Sequence, residues 1–233
     1  MSRNDAWKNM DADPVAEKLP LRVTSISPQK KRNDRFSLFH DKTFLIGVSS
    51  QTLLDFSLDK GTELTHSLYQ SIKKAEEYQK IKDRAYLLLS GRDHASFELK
   101  QKLLKKGFST AVIGDVLQEL DDKDLLKDDR FAKKFAADKT ELRKWGPIKI
   151  KQALLKKGVS KNTAEFAVEN ATSGLEQDQI CVDLALKKKS RFLREPDVFK
   201  RKQKIYRYLA GKGYTTDSIK KALPIILEKL NAE

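Results

Sequence analysis

The chain has 233 residues, of which 47 are Lys or Arg and 33 Asp or Glu, for a net charge of +14, and 39% are apolar. That apolar share supports a buried core, while the single Cys181 excludes an intramolecular disulfide and suits a reducing, cytoplasmic setting. Cys181 itself reads as a small helix residue rather than a reactive thiol.

Residues 1–20 carry Asp, Asn, Lys and Pro without sustained periodicity. They lack the apolar core of a signal peptide and the length of a membrane span, and are predicted to form a mobile N-terminal extension. Next come three short alternating runs, Leu21 to Ser27, Arg35 to His40 and Thr43 to Val48, rich in Val, Ile, Phe and Thr. The polar turn Lys30-Lys31-Arg32-Asn33-Asp34 and the tight Asp41-Lys42 separate them, which predicts a small antiparallel β meander. Ser50 is placed to cap a short helix over 51–57, and Lys60-Gly61-Thr62 marks the junction to a helical region. A three-stranded sheet is too small to stand well alone, so it is expected to pack on the first helices.

The remaining chain repeats itself. Leu-Leu-Lys-Lys-Gly-Phe-Ser at 103–109 returns as Leu-Leu-Lys-Lys-Gly-Val-Ser at 154–160 and as Leu-Ala-Gly-Lys-Gly-Tyr-Thr at 209–215. Eight residues before the glycine stand Leu99, Ile150 and Ile205, and four before it Leu103, Leu154 and Leu209. Six, nine and ten residues after it come Ile113, Ala164 and Ile219, then Val116, Ala167 and Ala222, then Leu117, Val168 and Leu223. A period near fifty residues identifies a tandem array. In each unit a middle helix is predicted to end at Gly107, Gly158 or Gly213 in a left-handed stop. A last helix then starts behind Ser109, Ser160 or Thr215 as N-cap. First helices are predicted around Ala85 to Leu89, Phe131 to Ala136 and Val182 to Leu186. The fold class is therefore mainly α: three tandem three-helix repeats in an elongated, curved array behind a small β meander. The expected boundaries are 1–20, 21–62, 63–126, 127–175 and 176–233.

Charge is distributed unevenly. The 1–78 and 79–126 blocks hold 12 basic against 11 acidic and 9 against 8 residues, whereas 127–175 and 176–233 hold 12 against 6 and 14 against 8, so the last two blocks supply 12 of the 14 net charges. This is the footprint of a protein that meets a polyanion. A helix-turn-helix reader is disfavoured, because the last helices carry Asp115 and Glu119, or Glu165 and Glu169, which phosphate would repel. The cations lie on the middle helices instead: Lys100, Lys102, Lys105 and Lys106; Lys149, Lys151, Lys156 and Lys157; Lys202, Lys204, Arg207 and Lys212. Such a ladder would bind backbone phosphates without reading bases. Lys157 is read as an exposed charge at a helix end, and Lys187-Lys188-Lys189 as a solvated run.

No catalytic constellation is present in the sequence. His40, His66 and His94 are scattered, and there is no phosphate loop, nucleophile elbow or zinc motif. Asp121, Asp122, Asp124, Asp128 and Asp129 read as helix-end carboxylates rather than a metal site, with Asp128 and Asp129 at the N-terminal end of a helix expected to start at Arg130. No cofactor, metal or small-molecule substrate is expected, and the chain reads as not an enzyme.

Asp128-Asp129-Arg130-Phe131-Ala132, preceded by Leu125-Leu126, resembles the hallmark of the RecX family of recombination regulators. Trp145-Gly146-Pro147 and the Leu154 to Val159 segment are similar to the stretch downstream of that hallmark in the family. Ser96, Glu98-Leu99, Leu103 to Phe108, and Leu58 to Leu64 with Gly61 resemble its upstream segments. Gly211, in place of the first lysine of the pair, and the residues before 20 depart from it. The resemblance implies a non-enzymatic modulator that binds the groove of the RecA–DNA filament and inhibits ATPase, strand exchange and coprotease activities. It would thereby restrain DNA repair, homologous recombination and the SOS response, with weak, nonspecific affinity for single- and double-stranded DNA and no membrane partner. Two alternatives remain open: a sequence-nonspecific DNA-binding protein without a recombinase partner, and a helical-repeat adaptor.

Overall fold

A computed structural model describes residues 13–30 and 32–231. Contacts group the chain into two compact units, one of residues through Tyr86 with Lys106–Val116 and one of Leu87–Lys105 with Leu117–Glu233.

In the first unit β1 (Leu21–Arg22) pairs antiparallel with β5 (Glu63–Leu64), while β2 (Ser25–Gln29), β3 (Arg32–His40) and β4 (Thr43–Ser49) form an antiparallel meander. The predicted first run is thus divided between two sheets at Val23 and Thr24. Asp41 and Lys42 both adopt positive φ, 43° and 68°, which suits the right-handed twist of a two-residue hairpin. Helix α1 (Ser50–Asp55) is capped by Ser49, whose hydroxyl accepts from the Thr52 amide at 3.1 Å; the expected cap, Ser50, is one residue late.

The sheet packs on α2 (His66–Gly91) through Leu38, Leu45, Val48, Tyr69 and Ile72, all buried. Glu76 of α2 is 3% exposed and locks this contact. It accepts from Arg35 Nη2 at 2.7 Å, the Ser49 amide at 2.6 Å and Thr52 Oγ1 at 2.7 Å. Burial alone would raise its pKa, but these donors outweigh it and hold the carboxyl below its ordinary value.

The first twelve residues of the expected mobile extension lie outside the described residues. Residues 13–19 depart from that expectation: Asp13 accepts from Tyr69 Oη at 2.9 Å and Lys73 Nζ at 2.8 Å, and Leu19 is buried.

The helical repeats follow the predicted register. After α2 come α3 (Ser96–Leu104) and α4 (Thr110–Asp122); then α5 (Asp128–Glu141), α6 (Pro147–Lys156) and α7 (Lys161–Thr172); then α8 (Gln177–Leu186), α9 (Lys189–Leu193), α10 (Val198–Lys212) and α11 (Thr216–Asn231). Short α9 is additional to the predicted three helices and grows from the lysine run read as merely solvated. The glycine stops adopt φ of 82° at Gly107, 81° at Gly158 and 92° at Gly213. Ser160 Oγ accepts from the Thr163 amide at 3.1 Å and Thr215 Oγ1 from the Ser218 amide at 3.2 Å, while the Ser109 carbonyl accepts from Ile113. The apolar register is buried at Leu99, Ile150, Ile205, Leu103, Leu154, Leu209, Ile113, Ala164 and Ile219. Burying such a side chain contributes about 1.5–3 kcal/mol, so this shared stripe is the main source of each repeat's stability. Cys181 sits fully buried in the third core, which pushes its thiol up to about 12.

Candidate nucleic-acid interface

Within the second unit the middle helices α3, α6 and α10 meet end to end. Gly146 and Pro147 begin α6, where proline's missing amide is no loss. The Gly146 amide donates to the Lys212 carbonyl at 2.8 Å, and the Ile148 amide to the Gly213 carbonyl at 3.1 Å. Free amides at the start of one helix thereby satisfy free carbonyls at the end of another. The approach is close: a Cβ on Gly213 would lie 2.3 Å from Lys149 Cβ, and one on Gly146 2.3 Å from the Gly213 carbonyl.

The other joint, α3 against α6, is similar. A Cβ on Gly158 would lie 2.2 Å from Phe97 Cβ. The Ser96 amide donates to Asp128 Oδ1 at 2.8 Å, so a carboxylate from α5 caps α3 in place of a local side chain. The Asp-Asp-Arg-Phe-Ala motif is accordingly a joint. Asp129 Oδ1 accepts from Thr163 Oγ1 at 3.1 Å, Arg130 grips Asp124, and Phe131 and Ala132 are buried beside Ile150 and Leu154.

The predicted cations divide into engaged and open sets. Lys102 Nζ lies 2.7 Å from His94 Nε2. Lys149 Nζ donates to the Gly211 carbonyl at 3.1 Å and stands 4.7 Å from the Trp145 ring centroid. Lys151 pairs with Glu165 at 2.6 Å, and Lys204 with Glu195. Lys157 pairs with Glu98 at 2.9 Å and lies 5.8 and 5.7 Å from the Phe131 and Phe135 ring centroids. It is therefore half-buried joint material, where the sequence suggested a free helix end.

Glu98 also takes Arg92 at 2.5 Å. Burial would raise its carboxyl, but Arg92 and Lys157 together hold it at about 2. Lys105, Lys106, Lys156, Lys202 and Arg207 are exposed and Lys212 half-buried, with no acidic partner among the described residues. Roughly half of the predicted cations are thus already matched by carboxylates, carbonyls or rings. Sequence reasoning did not include Arg191 and Arg194, which α9 and its C-cap place beside Lys204 and Arg207; the Lys187 to Lys189 run was the available signal.

Among the described residues no helix is long and apolar enough to cross a membrane, and no three His, Cys, Asp or Glu gather as a metal site.

Comparisons with known proteins agree with this architecture. The RecX N-terminal domain matches residues 21–65, and the first, second and third RecX three-helix domains match 82–120, 128–168 and 176–223. A protein of Clostridioides difficile named Regulatory protein RecX is 32% identical over 205 residues, 88% of this chain and 95% of that one. A crystal structure of regulatory protein RecX matches with a TM-score of 0.66 at 25% identity, covering 86% of this chain and 98% of the other. RecX from Lactobacillus salivarius gives 0.56 at 25% identity over 68% of this chain and 99% of its own. Built from the N-terminal domain and all three helical domains in order, the chain belongs to the RecX family of regulatory proteins.

Proposed function

We propose that the protein is a non-enzymatic regulator that binds the RecA–DNA nucleoprotein filament and lowers its recombinase, ATPase and coprotease activities, restraining recombination, DNA repair and the SOS response in the cytoplasm. The observation that carries this reading is the end-to-end row of α3, α6 and α10, joined by the Gly146 amide on the Lys212 carbonyl and by Lys157 on Glu98. A rigid row of basic helices suits a partner that is itself a regular polyanionic assembly. Phosphate contacts from Lys and Arg position a protein on DNA without sequence choice, which fits a regulator that must act wherever a filament forms.

The test is titration of the protein into RecA assembled on single-stranded DNA, following ATP hydrolysis, strand exchange and filament length. The expected result is a saturable fall in ATPase and strand exchange with shorter filaments. Unchanged RecA activity at saturating protein overturns the reading.

A further inference from the structure

The third repeat contains a depression of about 540 Å³ lined by Arg191, Phe192, Arg194, Lys204, Arg207 and Tyr208. Four cations surround it. Arg191 and Arg194 come from the short helix α9 and its C-cap, whereas Arg207 and Tyr208 follow Lys204 by three and four residues on α10. Among the described residues only Lys204 has a carboxylate, Glu195. Among the described residues Arg191 and Arg194 have no acidic partner, and Arg207 Nε reaches only the Gln203 carbonyl of its own helix, at 3.4 Å. The Tyr208 hydroxyl has no hydrogen-bond partner there.

The depression is held in shape from beneath. Phe192 is buried and meets the Tyr208 ring edge-on at 5.8 Å, which fixes α9 on α10. Arg201 is 8% exposed and donates to the Glu195 carbonyl at 2.9 Å and to Asn231 Oδ1 at 3.3 Å, tying down the segment that follows α9. The contrast with the second repeat is chemical: there Lys151 and Lys157 face carboxylates, while here three guanidiniums converge unneutralised. Like charges gathered in this way repel one another unless an anion sits between them. Guanidinium groups match the paired oxygens of phosphate, and a tyrosine hydroxyl can donate to a third oxygen.

We propose that this depression binds phosphate groups of a nucleic-acid backbone. Arg191, Arg194 and Arg207 clamp the oxygens, Tyr208 donates from the floor, and Arg201 is a positioning residue. Lys204 and Arg207 also belong to the α10 row on which the filament reading rests, whereas Arg191 and Arg194 lie outside it, and the site requires no RecA, so it is tested separately.

The test is fluorescence anisotropy of a labelled thymidine oligonucleotide with the full chain over a range of salt, in the absence of RecA. Joint Arg191→Lys and Arg194→Lys keeps the net charge and removes the fork geometry, and is expected to weaken binding about 5- to 10-fold with unchanged melting. Tyr208→Phe is expected to cost about 3-fold. Joint Arg191→Glu and Arg194→Glu should lower the salt slope by about two. Joint Lys220→Glu and Lys221→Glu on α11 makes the same charge change elsewhere in the repeat, and should stay within about 3-fold of wild type. Equal losses from the two charge reversals, or no loss from joint Arg191→Lys and Arg194→Lys, would show a diffuse field and overturn the site. Saturable binding of inorganic phosphate with oligonucleotide affinity unmoved by every variant would assign a free-phosphate site and overturn the backbone assignment. RecA inhibition is measured on the same variants. Its persistence when oligonucleotide binding is lost separates this site from the filament reading, and failure of the wild type to inhibit leaves the oligonucleotide result intact.

Discussion

The second and third repeats carry the same stop glycine and equal net charge, yet they use their cations differently. In the second, Lys157 reaches Glu98 of the preceding repeat, Lys151 reaches Glu165, and Lys149 covers Trp145 and caps Gly211. In the third, Arg191, Arg194 and Arg207 face one depression and have no acidic partner among the described residues. A count of basic residues therefore measures composition, and availability to a partner depends on which acidic side chains the fold brings alongside. In the second repeat Lys149 and Lys157 contribute to the joints with its neighbours, whereas three arginines of the third have no acidic partner among the described residues.

The largest effect that could break this comparison lies at the glycine joints. Gly107 and Gly158 share a left-handed backbone, but a Cβ on Gly107 meets nothing within 4 Å while one on Gly158 falls 2.2 Å from Phe97 Cβ. A Cβ cannot swing aside by a rotamer change, so Gly158→Ala combines backbone strain with overpacking. It is expected to cost about 2–4 kcal/mol in urea denaturation, and Gly107→Ala about 1 kcal/mol. Equal losses would mean that the α3–α6 joint is not close-packed.

Next in size is the carboxylate at that joint. The Glu98 carboxyl sits at about 2, depressed from an ordinary 4.5, with 17% of its side chain exposed. A depressed carboxylate stabilises the fold above its unfolded pKa and loses that contribution as pH falls through its folded one. Wild type should therefore exceed Glu98→Gln by about 1–2 kcal/mol at neutral pH, a figure reduced for partial solvent screening. The difference should shrink between about pH 4.5 and pH 2 as Glu98 becomes protonated. A pH-independent difference in chemical denaturation would place the effect in packing rather than charge.

The smallest effect sharpens the distinction between engaged and open lysines one residue apart. Lys157→Ala removes an ion pair and two ring contacts and should cost about 1 kcal/mol, whereas exposed Lys156→Ala should stay within about 0.5 kcal/mol of wild type. In filament binding the order should invert, with Lys156→Ala losing more of the salt-dependent affinity. Loss of binding by Lys157→Ala alone would place Lys157 at the interface despite its pairing with Glu98.

The features determined by the sequence itself are local and periodic. Leu99, Leu103, Ile113 and their counterparts recur at helical spacing, so the buried face of each helix is set by 3.6 residues per turn. The three stop glycines are legible for the same reason, because left-handed φ is a property of one residue. The tertiary structure alone decided the partners. Lys157 meets Glu98 across 59 residues and Ser96 meets Asp128 across 32, separations at which no periodicity constrains which carboxylate faces which donor. The contacts of Asp13 with α2, the division of the first strand between two sheets, and the fourth helix of the last repeat were also set by packing. Each depends on long-range neighbours that override short-range propensity.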